Sequence, residues 1–486
     1  MITNKLNVLL LVVTLYTLYG YCSGIGFNNY GRLRLPVPDN HIQTLPDKWF
    51  DQRLDHFNTS DSRTFKQRYF INDKYYKTGG PVFLVLDGEG ESSDYFITEG
   101  AIASYAQQFN ALAIELEHRY YGQSVATPDL SLDNLRYLSS KQALKDIEQF
   151  ILKSTDSLSL TNTSSKWIAF GGSYAGNLAA WVREKYPHAV AGSVASSAPV
   201  EDRFEFKEYF GVVEESLKKC SKPIGEAVHQ LEDLLKTPEG RQSISKQFNL
   251  CKPLNSTTDT SSVHLLRFGL IIPFAVAAQH DGKPGIIGVQ EVCKGMMTTT
   301  NDMDGSTPLD RWAKLHKQFS KGECIDYDYN ENIRVYRNTS TTSPMARAGM
   351  RQWTYQDCNE FGLFQTTGLP DSLFGHNAVP VDYFLKQCSD IYGKQFTPQS
   401  IQKAVQTTNA LYGGFRPNVT NVVFPNGSLD PWHALGVLKD LNNSTRALYI
   451  HGSSHGSDLF AQQSTDTQEL IDARKTIAKQ LQLFLQ

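Results

Sequence analysis

Trp167-Ile-Ala-Phe-Gly-Gly-Ser173-Tyr-Ala-Gly-Asn-Leu-Ala-Ala-Trp181 is the stretch on which the reading of this chain turns. Residues 167–170 form an apolar run of strand length. Residues 171–176 are a turn of small residues around one serine, and a helical pattern follows over 174–186. A strand, tight turn and helix in this order can hold a serine in a strained backbone conformation. Its Oγ is then exposed, and the next backbone N–H faces a developing oxyanion. Crowding in such a turn calls for small residues two before and two after the serine. Gly171 and Ala175 meet that need, although Ala175 stands where the strict pattern has glycine. Without partners for Ser173 the same stretch would be only a glycine-rich turn.

Working outward, further short β-rich runs occur at 68–71, 82–86, 112–116 and 191–195, with helical patterns at 141–152 and 174–186. Strands alternating with helices argue for a mostly parallel sheet covered on both faces. After Val200 the pattern turns mainly helical, at 210–235, 263–278 (with a kink expected at Pro273) and 309–319. β-like runs return at 421–424 and 446–450, and a helix closes the chain over 465–484. The expected fold class is therefore α/β. The economical expectation is one α/β domain (45–200 and 401–486) interrupted by a mainly helical, disulfide-stapled insertion at 201–400. Residues 25–44 read as a leader or loosely packed arm.

A serine hydroxyl is a poor nucleophile near neutral pH and needs a base, itself held by a carboxylate. In an α/β-hydrolase these follow in the order Ser, Asp, His on loops after later strands. Asp430 lies on a turn after one C-terminal strand and His455 on a small-residue loop after the next. His451 is the second choice for base. Asp458 is an alternative acid, but it follows the histidine and leads into a helix, where an acid is ordinary. His433 reads as an exposed polar residue. His451 and His455 are spaced i, i+4 across a non-helical Gly-Ser-Ser, so no metal site is expected. The oxyanion donors should be the N–H of Tyr174 and one from the loop after 82–86, at Gly88 or Glu89. Glycines there allow close backbone approach. Read differently, that loop is an acidic surface turn, or Glu89 and Glu91 meet a substrate ammonium.

The chain of 486 residues is long for one core, its charged fraction of 20% is ordinary, and its net charge is -3. No strongly basic stretch suggests nucleic acid, and no cofactor motif appears. Lys5, the apolar residues over 6–18 and small residues at 20–24 read as a cleaved signal peptide, 1–24. No later stretch looks long and apolar enough to cross a bilayer, which leaves the mature chain soluble. Sequons stand at Asn58, Asn162, Asn255, Asn338, Asn418, Asn426, Asn442 and Asn443. Of seven cysteines Cys22 falls in the signal, and the remaining even number in a secreted chain suggests three disulfides of open pairing. None stands in a C-x-x-C pair.

Further motifs run along the chain: Gln52-Arg-Leu-Asp-His-Phe57, Phe65-Lys-Gln-Arg-Tyr69, Gly88-Glu-Gly90, Glu117-His-Arg-Tyr-Tyr-Gly122, Arg351-Gln-Trp353 with Cys358-Asn-Glu-Phe-Gly362, and Asn426-Gly-Ser-Leu-Asp-Pro-Trp432. With the Ser173 turn, these make the chain resemble, from about Trp49 to its end, a family of serine peptidases. That family includes lysosomal Pro-X carboxypeptidase, dipeptidyl peptidase II and thymus-specific serine protease, the last looking most similar. The resemblance implies an α/β-hydrolase with a helical domain over its active site, and a triad at Ser173, Asp430 and His455. It also implies the pairings Cys220–Cys293, Cys251–Cys324 and Cys358–Cys388, peptide substrates and a secreted or lysosomal location, and it leaves a homodimer open. His118, ahead of the nucleophile, is no triad member, and residues 117–122 read as structural support. Gly456-Ser457 departs from what relatives often carry and alters the pocket rim. Better-known relatives cleave next to proline, releasing a C-terminal residue or an N-terminal dipeptide, and the sequence does not choose between these. A lipase or esterase would use the same turn. A non-catalytic binding protein on this fold would usually lack a triad member.

Overall fold

The computed structural model describes residue 38 and residues 41–157, 165–298 and 307–486. The expected signal peptide, most of the arm and the Asn162 sequon lie outside these residues. Among the described residues ten strands occur in chain order: β1 (Lys48–Arg53), β2 (Thr64–Asn72), β3 (Val82–Leu86), β4 (Leu112–Leu116), β5 (Trp167–Gly172), β6 (Gly192–Ser196), β7 (Arg203–Glu205), β8 (Gly362–Phe364), β9 (Val422–Gly427) and β10 (Thr445–Ile450). Eight form one sheet in the order β1-β2-β4-β3-β5-β6-β9-β10, and β7 pairs with β8 separately. Only β2 runs against its neighbours, and every other pair in the large sheet is parallel. This is the α/β-hydrolase sheet.

Burial explains why the central strands were legible. β3, β4 and β5 are buried at every position, and strands covered on both faces read as continuous apolar runs. Side chains alternate across the sheet. Phe83 and Val85 face one way, with Phe170, Ile102 and Ile477, under the helices Ala101–Phe109 and Gln468–Phe484. Leu84 and Ala169 face the other way, with Phe150, Leu178 and Trp181 of the helices Ser140–Ser157 and Tyr174–Lys185. The same apolar cluster continues into Phe210, Phe268 and Trp312 of the helical stretch between β6 and β9. The expected boundary at 400/401 falls inside the helix Pro398–Tyr412, and Tyr412 stacks on Trp181 with ring centroids 4.0 Å apart.

Several expectations are corrected. The paired strands begin at Lys48, not at 68. β1 is an exposed edge in which only Gln52 is buried, so it has no apolar run to detect. The helix expected over 210–235 is two helices, Glu208–Ser216 and Ser221–Leu235. A 3₁₀ turn at Lys218–Cys220 separates them and buries the disulfide-bonded Cys220. The helix expected over 263–278 starts earlier, at Thr260, and includes Pro273. By length and composition it could cross a membrane, contrary to expectation, but 83% of its apolar window is buried inside the protein. Asn426 is no glycosylation candidate in this fold: it is 1% exposed in β9, and its amide donates to the carbonyls of Phe424 and Val437. Asn58, Asn255, Asn338, Asn418, Asn442 and Asn443 are exposed. Disulfides join Cys220 to Cys293, Cys251 to Cys324 and Cys358 to Cys388.

Candidate active site

Ser173 sits between the end of β5 and the helix Tyr174–Lys185 with φ 59° and ψ −133°. A positive φ is uncommon outside glycine and carries strain that surrounding contacts must hold. Here β6 holds it. The Ser173 N–H donates to the Ser196 carbonyl at 3.0 Å, and the Ser173 carbonyl accepts from the Gly176 N–H at 2.8 Å. A Cβ on Gly171 would stand 2.0 Å from the Ala175 carbonyl oxygen, and one on Gly176 would stand 2.7 Å from that of Ser196. The second closed position is thus Gly176 rather than Ala175, which is why alanine is accepted where the strict pattern has glycine.

The acid and the histidine come from the same edge of the sheet. Asp430 follows β9, and its Oδ1 accepts the Trp432 N–H at 3.0 Å. His455 follows β10. Its Nδ1 lies 2.9 Å from Asp430 Oδ1, and both residues are wholly buried. The carboxylate fixes the proton on Nδ1 and leaves the lone pair on Nε2. Among the described residues, neither His455 Nε2 nor Asp430 Oδ2 has a hydrogen-bond partner. Two consecutive residues tie this loop to the Ser173 turn. Ser196 accepts from the Ser173 N–H, and the Ser197 hydroxyl accepts from the Gly456 N–H at 2.8 Å.

The competing residues go elsewhere. His451 is exposed and packs edge-on against Tyr449; His433, expected to be exposed, is half-buried and packs edge-on against the same ring. Asp458 accepts from the Ser196 hydroxyl and meets no imidazole; burial raises its carboxyl above the usual range. One participant had no sequence signal. Gln279, at the end of the helix Thr260–Gln279, takes the His455 N–H on its carbonyl at 2.9 Å. Its side-chain oxygen accepts from Tyr209 and Trp432 at 2.7 and 3.0 Å. The helical stretch therefore helps to set the histidine loop.

Tyr174 occupies the first helical position, where a backbone N–H has no intrahelical acceptor. The loop after β3 lies against it: a Cβ on Gly88 would be 3.3 Å from the Ala175 nitrogen. Gly88, Glu89 and Ser173 share the wall of a cavity of about 690 Å³ that also meets Asp87, Glu91 and Glu115. Burial pushes the Asp87 carboxyl up to about 7, with the charge of Glu117 raising it further, and the Glu115 carboxyl well above its usual range, raised further by Asp87. On its other side Ser173 opens to a smaller, mostly apolar pocket of about 90 Å³, walled by Tyr174, Trp353, Phe361, Phe364 and Trp432.

Residues 117–122 buttress the site. Burial lowers His118 to about 4, so the ring is neutral. Its Nδ1–H donates to the Arg119 carbonyl, and Tyr174 donates to its Nε2 at 3.1 Å. Arg119 makes a two-pronged pair with Asp146 at 2.5 and 2.6 Å and also donates to the Leu54 and Tyr137 carbonyls. Glu117 accepts from Arg68, Ser92, Gln123 and Ser124. Gly122, at φ +55°, leaves room for that carboxylate, since a Cβ would fall 1.9 Å from Glu117 Oε1.

The sheet, with a strained serine at the end of its central strand, defines an α/β-hydrolase. The model for the serine carboxypeptidase S28 family matches residues 52–477, and the chain belongs to that family. It is 36% identical over 453 residues to the thymus-specific serine protease of Mus musculus, covering 90% of this chain and 87% of that protein. Over 452 residues it is 34% identical to a putative serine protease of Caenorhabditis elegans, with the same coverage. Its identity to the lysosomal Pro-X carboxypeptidase of Homo sapiens is 29% over 467 residues, 91% of this chain and 90% of that protein. The chain is a serine-type peptidase, and its disulfides fit folding on a secretory route.

Proposed function

We propose that this serine peptidase is an exopeptidase of the secretory or lysosomal route that uses Ser173 as nucleophile, His455 as base and Asp430 as orienting acid. The observation that carries the reading is the buried His455–Asp430 pair, whose second ring nitrogen is left without a partner. In the reaction, Nε2 of His455 takes the Ser173 proton as Oγ attacks the scissile carbonyl. Asp430 stabilises the imidazolium, and the N–H of Tyr174, with that of Gly88 or Glu89, holds the oxyanion. The imidazolium then protonates the leaving amine. Water, deprotonated by the same nitrogen, hydrolyses the acyl-enzyme and restores Ser173.

Residues 45–200 and those from β9 onward form the catalytic core in this reading, with the helical stretch from 201 to about 397 as its cap. Cap residues wall the smaller pocket, which favours chain ends over internal bonds. The relative named Pro-X carboxypeptidase makes proline the first residue to test before the scissile bond. The experiment is to incubate purified protein with a peptide library from pH 4 to 8 and read product termini by mass spectrometry. Removal of one residue or a dipeptide from a single end, absent in Ser173→Ala, is expected. Internal cleavage throughout would contradict the exopeptidase reading.

A further inference from the structure

The smaller pocket contains a group that neither the triad nor an apolar specificity uses. Among its aromatic walls stands Asp357, with Glu89 lining the pocket beside Ser173. Asp357 Oδ1 is buried and has no hydrogen-bond partner among the described residues, and the charge that acts on this residue is that of Glu89. A buried carboxyl oxygen without a partner forfeits on the order of 1–3 kcal/mol, and a charged one more. A ligand that brought a compensating charge would recover that cost. Aromatic faces beside a carboxylate are also the surroundings that favour an ammonium.

We propose that Asp357, assisted by Glu89, is a specificity-determining residue that receives a cationic group on the acyl side of the peptide. Two parts of a substrate carry that chemistry: the ammonium of a lysine before the scissile bond, or the free amino terminus of a short peptide. The inference rests on the assignment of Ser173 as nucleophile, because the pocket is defined by its opening at that hydroxyl.

The ionisation behaviour fits a site that awaits its counter-charge. Burial, with Glu89 nearby, holds the Asp357 carboxyl well above the usual range. The other titratable groups that feel it are Asp202, Tyr121, Tyr336 and Tyr392, none of which supplies a positive charge. A cation binds the ionised carboxylate, so its binding competes with protonation. Preference for a cationic substrate therefore rises with pH.

Four matched peptides test this: lysine or norleucine before the scissile bond, each with a free or an acetylated amino terminus. kcat/KM is measured by mass spectrometry for the native enzyme from pH 4 to 7 and for Asp357→Asn. A lysine-to-norleucine ratio of tenfold or more that climbs with pH and collapses towards unity in the variant supports the side-chain source. A free-to-acetylated ratio behaving the same way supports the amino-terminal source. If both native ratios are within twofold of unity, or flat with pH, or unchanged by the substitution, the inference is overturned. Fluorophosphonate labelling at Ser173 separates the cases. A labelled variant is folded and its ratios count. An unlabelled variant leaves the decision to the pH course of the native enzyme. A native enzyme that is not labelled at all contradicts the nucleophile assignment instead.

Discussion

Two buried polar clusters in this molecule differ in how completely their atoms are paired. Around residues 117–122, Arg119 meets a carboxylate and two carbonyls, and Glu117 accepts from four donors. The pair His455 and Asp430 is as deeply buried but leaves one nitrogen and one oxygen unmatched. Unpaired buried atoms are costly and saturated networks are not. The first cluster, saturated at residues 117–122 themselves although Arg68 Nε at its margin is unpaired, is scaffolding, and the incomplete one has room for a proton to move. Histidine is present in both, so residue type alone does not separate them.

Removing members of the incomplete cluster should break the comparison most visibly. His455→Ala should lower kcat on the order of 10⁶-fold, measured on the best library peptide. Asp430→Asn should lower kcat on the order of 10⁴-fold, because an amide favours the wrong tautomer. In the saturated cluster the pattern should invert. Arg119→Met leaves the buried Asp146 carboxylate with His56 but without its guanidinium, so denaturant unfolding should show a loss of about 3–5 kcal/mol, while kcat per fluorophosphonate-titrated site stays within a few-fold. An activity loss for Arg119→Met as large as that for Asp430→Asn would erase the distinction.

The smallest effect concerns pH. Burial raises the carboxyls of Asp87 and Glu360 to about 7, and it raises those of Glu115, Asp202 and Asp458 as well. An acid whose pKa is higher in the folded state holds its proton better folded than unfolded. Its contribution is complete below the unfolded value near 4 and is lost as pH rises towards 7. His118 and His316, both lowered to about 4 by burial, act in the opposite sense: their contribution is lost as pH falls from 6.5 towards 4. The acids outnumber them, so the melting temperature should be a few degrees higher at pH 5 than at pH 7.5, read by calorimetry. A higher value at pH 7.5 would show that these acids are ionised in the folded protein.

What could be read in advance follows from how locally each feature is encoded. The Ser173 turn is contiguous, and the flanking strand and helix announce it. The pairing of Asp430 with His455 could be expected because each follows a strand of the same sheet. β1 was not, because an exposed edge needs no apolar pattern. Gln279 was not, because its role depends on the end of a distant helix meeting the loop after β10. The closed position at Gly176 depends on the carbonyl of Ser196, a residue of the next strand. Asp357 stood beside a quoted motif, but only the folded pocket sets it among aromatic rings.

The central claim is that three side chains, distant in sequence, make one hydroxyl reactive. It is tested most directly by treating the native protein and His455→Ala with a fluorophosphonate and mapping the modified peptide by mass spectrometry. The prediction is one adduct, on Ser173, formed rapidly in the native protein and essentially absent in the variant. An adduct on another residue, or labelling of Ser173 at an undiminished rate without the imidazole, would contradict it.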